Sequence, residues 1–125
     1  MQALVQISCD YLNAVELQKE LDSYNQAGAD AFELQLRKTP SRWRGVDQNI
    51  LLALVSLASG SLGALITGML KIAEKKQDSY IELHGDNWSV KVPSGTPHSE
   101  IKKYVALAKS KTIKEVKIIT GFLHD

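Results

Sequence analysis

From Ile50 to Leu70 the chain runs through 21 residues, Leu-Leu-Ala-Leu-Val-Ser-Leu-Ala-Ser-Gly-Ser-Leu-Gly-Ala-Leu-Ile-Thr-Gly-Met between those ends, without a charge, a proline or a strongly polar side chain. As a helix rising about 1.5 Å per residue it would be roughly 30 Å long, close to the hydrocarbon thickness of a bilayer. Arg42, Trp43 and Arg44 upstream and Lys71, Lys75 and Lys76 downstream would place cations and an interfacial tryptophan at its ends. The pattern therefore predicts one long helix over residues 47–76, capped by Asp47, with Ile50, Leu51, Leu54, Ala58, Leu62, Leu65, Ile66 and Leu70 as its apolar surface. Ser56, Gly60, Ala64 and Gly68 recur at every fourth position, with Ser59 and Gly63 alongside, and form a small-residue stripe along which a second helix could approach closely. A helix that is apolar all round must be covered by lipid or by protein. Both coverings are open at this level: insertion into a membrane, or permanent burial in the protein's own fold or in an oligomer interface. Self-association is expected in either case.

The remainder is that of a folded protein. Forty-four per cent apolar and 23% charged residues in 125 suit a single domain over 1–125 and argue against disorder. A net charge of +1 lacks the basic excess of a chain held to nucleic acid by phosphate contacts, so no nucleic-acid partner is expected. Charge is uneven: all three arginines lie between Arg37 and Arg44, and ten lysines stand against seven acids after Leu70. A lysine-rich solvated surface is the expectation there. One cysteine, Cys9, excludes an intramolecular disulfide. The opening residues lack the basic start and apolar segment of a secretory signal. A cytoplasmic home is expected, with relocation to the inner membrane if the apolar helix inserts.

Periodicity supplies the other elements. Ala3, Val5 and Ile7 alternate with Leu4, Gln6 and Ser8, as a strand does. Asp10 can cap a helix from about Tyr11 to Tyr24 that presents Leu17, Leu21 and Tyr24 on one face, with Val15 near it. Phe32, Leu34 and Leu36 alternate with Glu33, Gln35 and Arg37 in a second strand, giving a β-α-β opening whose strands should run parallel. Lys38 to Arg42 contains a proline and reads as a loop. Residues 80–84 and 88–92 flank Gly85-Asp86-Asn87 as a hairpin, and Thr96 before Pro97 starts a helix striped with Ile101, Tyr104, Val105 and Ala108. Val116, Ile118 and Ile119 end the series as a short strand. The fold class is α+β, in the order β-α-β-α-β-β-α with a final β, as a mixed sheet with helices on one face and one long, glycine-containing apolar central helix.

Signals for chemistry are sparse. His84, Asp86, His98 and His124 lack the close ligand pairs of a zinc site, and His84-Gly-Asp86 reads as a polar turn. Cys9 precedes the predicted start of a helix, yet no histidine stands near it, so an inert half-buried thiol is expected. Gly60-Ser-Leu-Gly63 is read as the interior of a helix that follows no strand, and it has no Gly-Lys-Ser/Thr ending, so it is not taken as a phosphate loop. No nucleophile elbow and no paired carboxylates stand out. No catalytic residue, metal or cofactor is assigned, and a non-enzyme is expected. Arg42, Trp43, Arg44, Gly45 and Asp47 form the one short segment specified beyond the needs of a fold. It is either a helix cap with a packed tryptophan or a docking corner in which Trp and Arg supply contact area.

A strand-helix-strand opening, an Arg-x-Arg-Gly corner with Arg44, Gly45 and Asp47, a glycine-containing apolar run, then a hairpin and a closing helix: from about Ile7 to Ala108 this arrangement resembles the effector-associated constant component proteins of bacterial conflict systems. The resemblance implies a partner such as a protease, effector or sensor protein in antiphage defence. Two functions are expected from the whole. One is a membrane-active, pore-forming or membrane-disrupting effector that is stored masked, released by a partner or protease, and self-associated through the glycine stripe against a lipid bilayer. The other is a soluble homo-oligomeric adaptor between sensor or protease and effector, with the apolar helix as its buried interface.

Overall fold

The computed structural model describes residues 2–27, 32–38, 49–56, 60–76 and 78–120. Six strands and three helices follow one another as β1 (Gln2–Cys9), α1 (Ala14–Ala27), β2 (Glu33–Lys38), β3 (Asn49–Ser56), α2 (Ser61–Ala73), β4 (Tyr80–His84), β5 (Ser89–Pro93), α3 (His98–Ser110) and β6 (Glu115–Ile119). The strands form one mixed sheet in the order β2-β3-β1-β6-β4-β5. The α+β class, the mixed sheet and the element order read from the sequence are those of the fold, with one exception.

That exception is the apolar run, which is a strand followed by a helix rather than one helix over 47–76. Residues 50–56 lie in β3, which sits between β2 and β1 and pairs antiparallel with both. A strand with partners on two sides satisfies its backbone on both edges. The glycines at 60, 63 and 68 weaken the competing long helix. Ser61 fixes the break: its Oγ accepts from the Ser56 amide at 2.7 Å and donates to the Ser56 carbonyl at 3.1 Å, tying the first residue of α2 to the last of β3. The surviving helix has 13 residues, or about 20 Å. No helix among the described residues is long and apolar enough to cross a membrane.

Strand directions explain why the helices share a face. β1 and β2 both oppose β3 and so run the same way with β3 between them; this is the expected parallel pair, split by a strand. β6 is parallel to β1, β4 opposes β6 and β5 opposes β4. The chain therefore makes three crossovers between like-directed strands: β1-α1-β2, β3-α2-β4 and β5-α3-β6. The first and third step toward the β2 edge, and the second steps the other way from strands of opposite direction. Reversing both step and direction leaves the face unchanged, so right-handed crossovers put all three helices on one side. The core lies there: Val5, Ile7, Leu51, Ala53, Val55, Ile81, Leu83, Val92, Val116 and Ile118 from the sheet meet Leu17 and Leu21 of α1 and Leu62, Leu65, Ile66 and Met69 of α2.

Several boundaries differ from the sequence reading for local reasons. α1 starts at Ala14, not at Tyr11, because Asn13 and Glu16 cap it reciprocally: the Glu16 amide donates to Asn13 Oδ1 at 2.8 Å, and the Asn13 amide to Glu16 Oε1 at 3.0 Å. Asp10 instead accepts the Thr120 amide and hydroxyl, both at 2.9 Å, and closes the end of β6. α3 starts at His98, with extended Pro97 as its cap, while Thr96 Oγ1 donates to the Pro93 carbonyl. The final strand, expected as a short addition, occupies the centre of the sheet between β1 and β4.

Candidate interaction surface

Residues singled out in the sequence are dispersed by the strand–helix break. Ile50 and Leu54 point from β3 to the face of the sheet opposite the helices, whereas Leu51 is buried beneath them. Leu62, Leu65, Ile66 and Leu70 are buried in α2 within the chain's own core. The small-residue stripe is not one helix face: Ser56 ends β3, Gly60 precedes α2, and only Ala64 and Gly68 belong to the helix. Gly68 is already used inside the molecule. A Cβ there would stand 3.2 Å from Tyr24 Cδ1 and 3.4 Å from Leu21 Cδ2, so its lack of a side chain lets α1 lie close against α2. Gly63 meets Val105 of α3 in the same way, at an ordinary 3.7 Å. The corner of Arg42, Trp43, Arg44, Gly45 and Asp47 lies outside the described residues, as do Ala58 and His124.

Two surfaces remain as candidates. The first is a groove of about 530 Å³ where α1, α2 and α3 meet, lined by Gly63, Ala64, Ile101 and Val105 at its apolar base and by Thr67, His98 and Lys102 among its polar walls. Asn25, also at this groove, is engaged: its Nδ2 donates to the Phe32 carbonyl at 2.8 Å and its Oδ1 accepts from the Phe32 amide, holding the last turns of α1 to the start of β2.

The second is the face of the sheet away from the helices, which divides in two. Over β6, β4 and β5 it is polar. Glu82 accepts from Tyr80 Oη at 3.3 Å and lies 2.8 Å from His84 Nε2, Lys117 stands 3.8 Å from Glu115, and the Lys91 ammonium sits 5.2 Å over the centre of the Tyr80 ring. Over β2, β3 and β1 the same face is apolar at its centre. Leu4 is 51% exposed, and its register partner Leu54 stands beside Leu52 and Ile50, with Glu33, Gln35 and Arg37 of β2 along one border and Gln2 and Gln6 along the other. The signal for this patch was in the sequence: Leu4 interrupts the polar phase of β1, and residues 50–55 are apolar at odd and even positions alike, as in a strand covered on both faces.

Titratable side chains elsewhere do not converge. Among the described residues no group of three His, Cys, Asp or Glu side chains is placed to hold a metal ion. The Cys9 thiol is half-buried, and desolvation raises its pKa, with the Tyr11 and Leu12 amides opposing and the charges of Asp10 and Glu16 adding to the rise. Burial likewise raises the Tyr11 phenol, whose hydroxyl donates to the Ile72 carbonyl at 2.7 Å. Gly60-Ser-Leu-Gly63 does follow a strand and open a helix, contrary to the reading of it as helix interior, although no Gly-Lys-Ser/Thr ending follows it. Comparison with protein-family models, with curated proteins and with solved structures gave no significant match.

Proposed function

We propose that this chain is a non-enzymatic, self-associating adaptor of a bacterial conflict system, acting in the cytoplasm to couple a sensor or protease to an effector. The observation that supports this most is the apolar patch of Leu4, Ile50, Leu52 and Leu54 on the helix-free face of the sheet. Apolar area of this kind is worth about 25 cal/mol per Å² once a protein surface covers it, and its polar border suits a docking site. The resemblance to effector-associated constant components supplies the class of partner.

The alternative, a membrane-active effector that relocates to the inner membrane, requires α2 to leave the core. Six large α2 side chains, Leu62, Leu65, Ile66, Met69, Leu70 and Ile72, are buried. At about 1.5–3 kcal/mol each their exposure costs on the order of 10 kcal/mol or more, comparable to the whole stability of a domain. Release of α2 is thus close to global unfolding, and this favours the adaptor reading.

Sedimentation of the purified chain over a wide concentration range, with liposome flotation in parallel, tests the proposal. The expected result is a mass that rises with concentration and no flotation. A monomer at every concentration refutes self-association. Flotation and dye release by the folded protein would restore the membrane-active reading.

A further inference from the structure

The sheet has two edges, and they are built differently. β5 carries Lys91 at its centre and ends at Pro93, which has no N–H to offer a neighbour; these are the devices by which an edge strand avoids pairing. β2, Glu-Leu-Gln-Leu-Arg-Lys, has no proline or glycine, and its register with β3 is continuous from Glu33↔Leu54 to Lys38↔Asn49. Among the described residues β2 pairs only with β3, so its other edge presents unpaired backbone donors and acceptors. Leu36, on the helix side of this edge, is 37% exposed. The Arg37 guanidinium is folded onto the Gln35 amide of its own strand, Nε and Nη2 lying 3.3 and 3.1 Å from Oε1, and no carboxylate partners it among the described residues.

We propose that β2 pairs antiparallel with β2 of a second copy of this chain, about a two-fold axis through Gln35. The inference rests on the self-association reading above and gives it a geometry. Residues equidistant from Gln35 then face each other: Glu33 stands opposite Arg37 of the second copy, and Leu34 opposite its Leu36. Each of these pairings occurs twice by symmetry, as an isologous contact requires. The strand is self-complementary in this register and not in its neighbours. Centred on Leu34, Glu33 would face Gln35; centred on Leu36, Arg37 would face Gln35; an axis between residues would set leucine beside a polar side chain. With the axis normal to the sheet, helices of both copies lie on the same side, the two six-stranded sheets become one continuous sheet, and the apolar patches of Leu4, Leu52 and Leu54 lie on the opposite face, one on each side of the paired β2 strands with their Glu33, Gln35 and Arg37.

Charge reversal tests this register. Glu33→Arg sets arginine against arginine twice in its own dimer, and Arg37→Glu sets glutamate against glutamate twice. Each variant alone is expected to associate about thirtyfold more weakly than the parent chain, from two cross-strand pairs turned from attraction to repulsion. In an equimolar mixture the mixed dimer holds no like-charge pair: the arginine introduced at position 33 of one chain faces the glutamate introduced at position 37 of the other, and the unaltered Arg37 of the first faces the unaltered Glu33 of the second. The mixed dimer is therefore expected to dominate, detectable by native mass spectrometry of isotopically distinct chains. Variants that had failed to fold could not rescue each other. If the parent associates but is indifferent to both reversals, or the mixture shows no preference for the mixed dimer, the β2 register is wrong while self-association stands. If the parent is monomeric throughout, both fall.

Discussion

Leu51 and Leu52 are chemically identical neighbours in the apolar run, and their fates decide whether that run is strand or helix. In β3 they point to opposite faces. Leu51 is 1% exposed and lies between Ile7 of β1 and Leu36 of β2; Leu52 is half-buried on the helix-free face between Gln6 and Gln35. Leu51→Thr removes buried hydrocarbon and leaves a hydroxyl beneath the helices, for a loss of about 3–5 kcal/mol. Leu52→Thr puts a β-branched side chain on a partly solvated face and is expected to cost less than about 1 kcal/mol. For a domain of this size each kcal/mol shifts the melting temperature by roughly 3–5 °C, so Leu51→Thr should melt on the order of 10–20 °C lower and Leu52→Thr within a few degrees of the parent. Urea titrations of both, with unchanged slopes, give the free energies directly. Extending the scan to Leu54 adds a third point, which should behave as Leu52 does. A cost at Leu54 matching that at Leu51 would follow a helical period, and equal costs at 51 and 52 would abolish the alternation of a strand; either refutes the strand.

Two further outcomes follow from single contacts. Gly85→Ala would bring a Cβ to 1.9 Å from the Trp88 indole nitrogen, which donates to the Lys111 carbonyl at 2.8 Å; displacing the indole should cost about 2 kcal/mol and change the tryptophan emission, and an unaltered spectrum and midpoint would contradict the packing. Because burial raises the Cys9 thiol pKa, the folded state holds its proton more tightly than the unfolded one, so this contribution to stability is full below the ordinary thiol range and is lost as pH rises through the folded value. Stability measured by urea titration should therefore fall toward alkaline pH, and Cys9→Ser should flatten that part of the fall; an identical slope in the variant would remove the thiol from the account.

Where the period is clean the sequence was readable. Val5 and Ile7, Leu17 and Leu21, Ile81 and Leu83, and Val116 and Ile118 are buried as their alternation or helical spacing requires. The long run failed for a physical reason: a segment apolar at every position has no period, so length alone argued for a helix, and length cannot register that β1 and β2 stand ready on either side of β3. The cap of α1 was missed because Asp10 and Asn13 are both good capping residues, and only the reciprocal partner Glu16 distinguishes them. The surface assigned to self-association was placed on the glycines of α2, which the fold uses for its own helix crossings. Glu33, Gln35 and Arg37, on which the proposed pairing rests, read in the sequence only as the wet side of a strand, because the symmetry of a six-residue edge matters only where that edge has no neighbour among the described residues.

A helix layer on one side of a sheet leaves the other side to be solved separately, and this chain solves its halves in two ways. Over β4, β5 and β6 the exposed side is polar, with Glu82 beside Tyr80 and His84, Lys117 near Glu115 and Lys91 over the Tyr80 ring. Over β1 and β3 it holds leucines, and a single copy offers only a narrow patch of them, bounded by the β2 edge. Pairing two β2 edges sets two such patches on one continuous sheet, one on each side of the central rows of Glu33, Gln35 and Arg37, so that a third protein would find a symmetric pair of apolar sites only on the dimer. An adaptor built this way responds to its own concentration: a partner that brings two copies together creates the surface on which the next component docks. The alternative order, in which the partner binds a single copy first, predicts that a Glu33→Arg chain with weakened pairing still captures it at undiminished affinity, and that comparison separates the two.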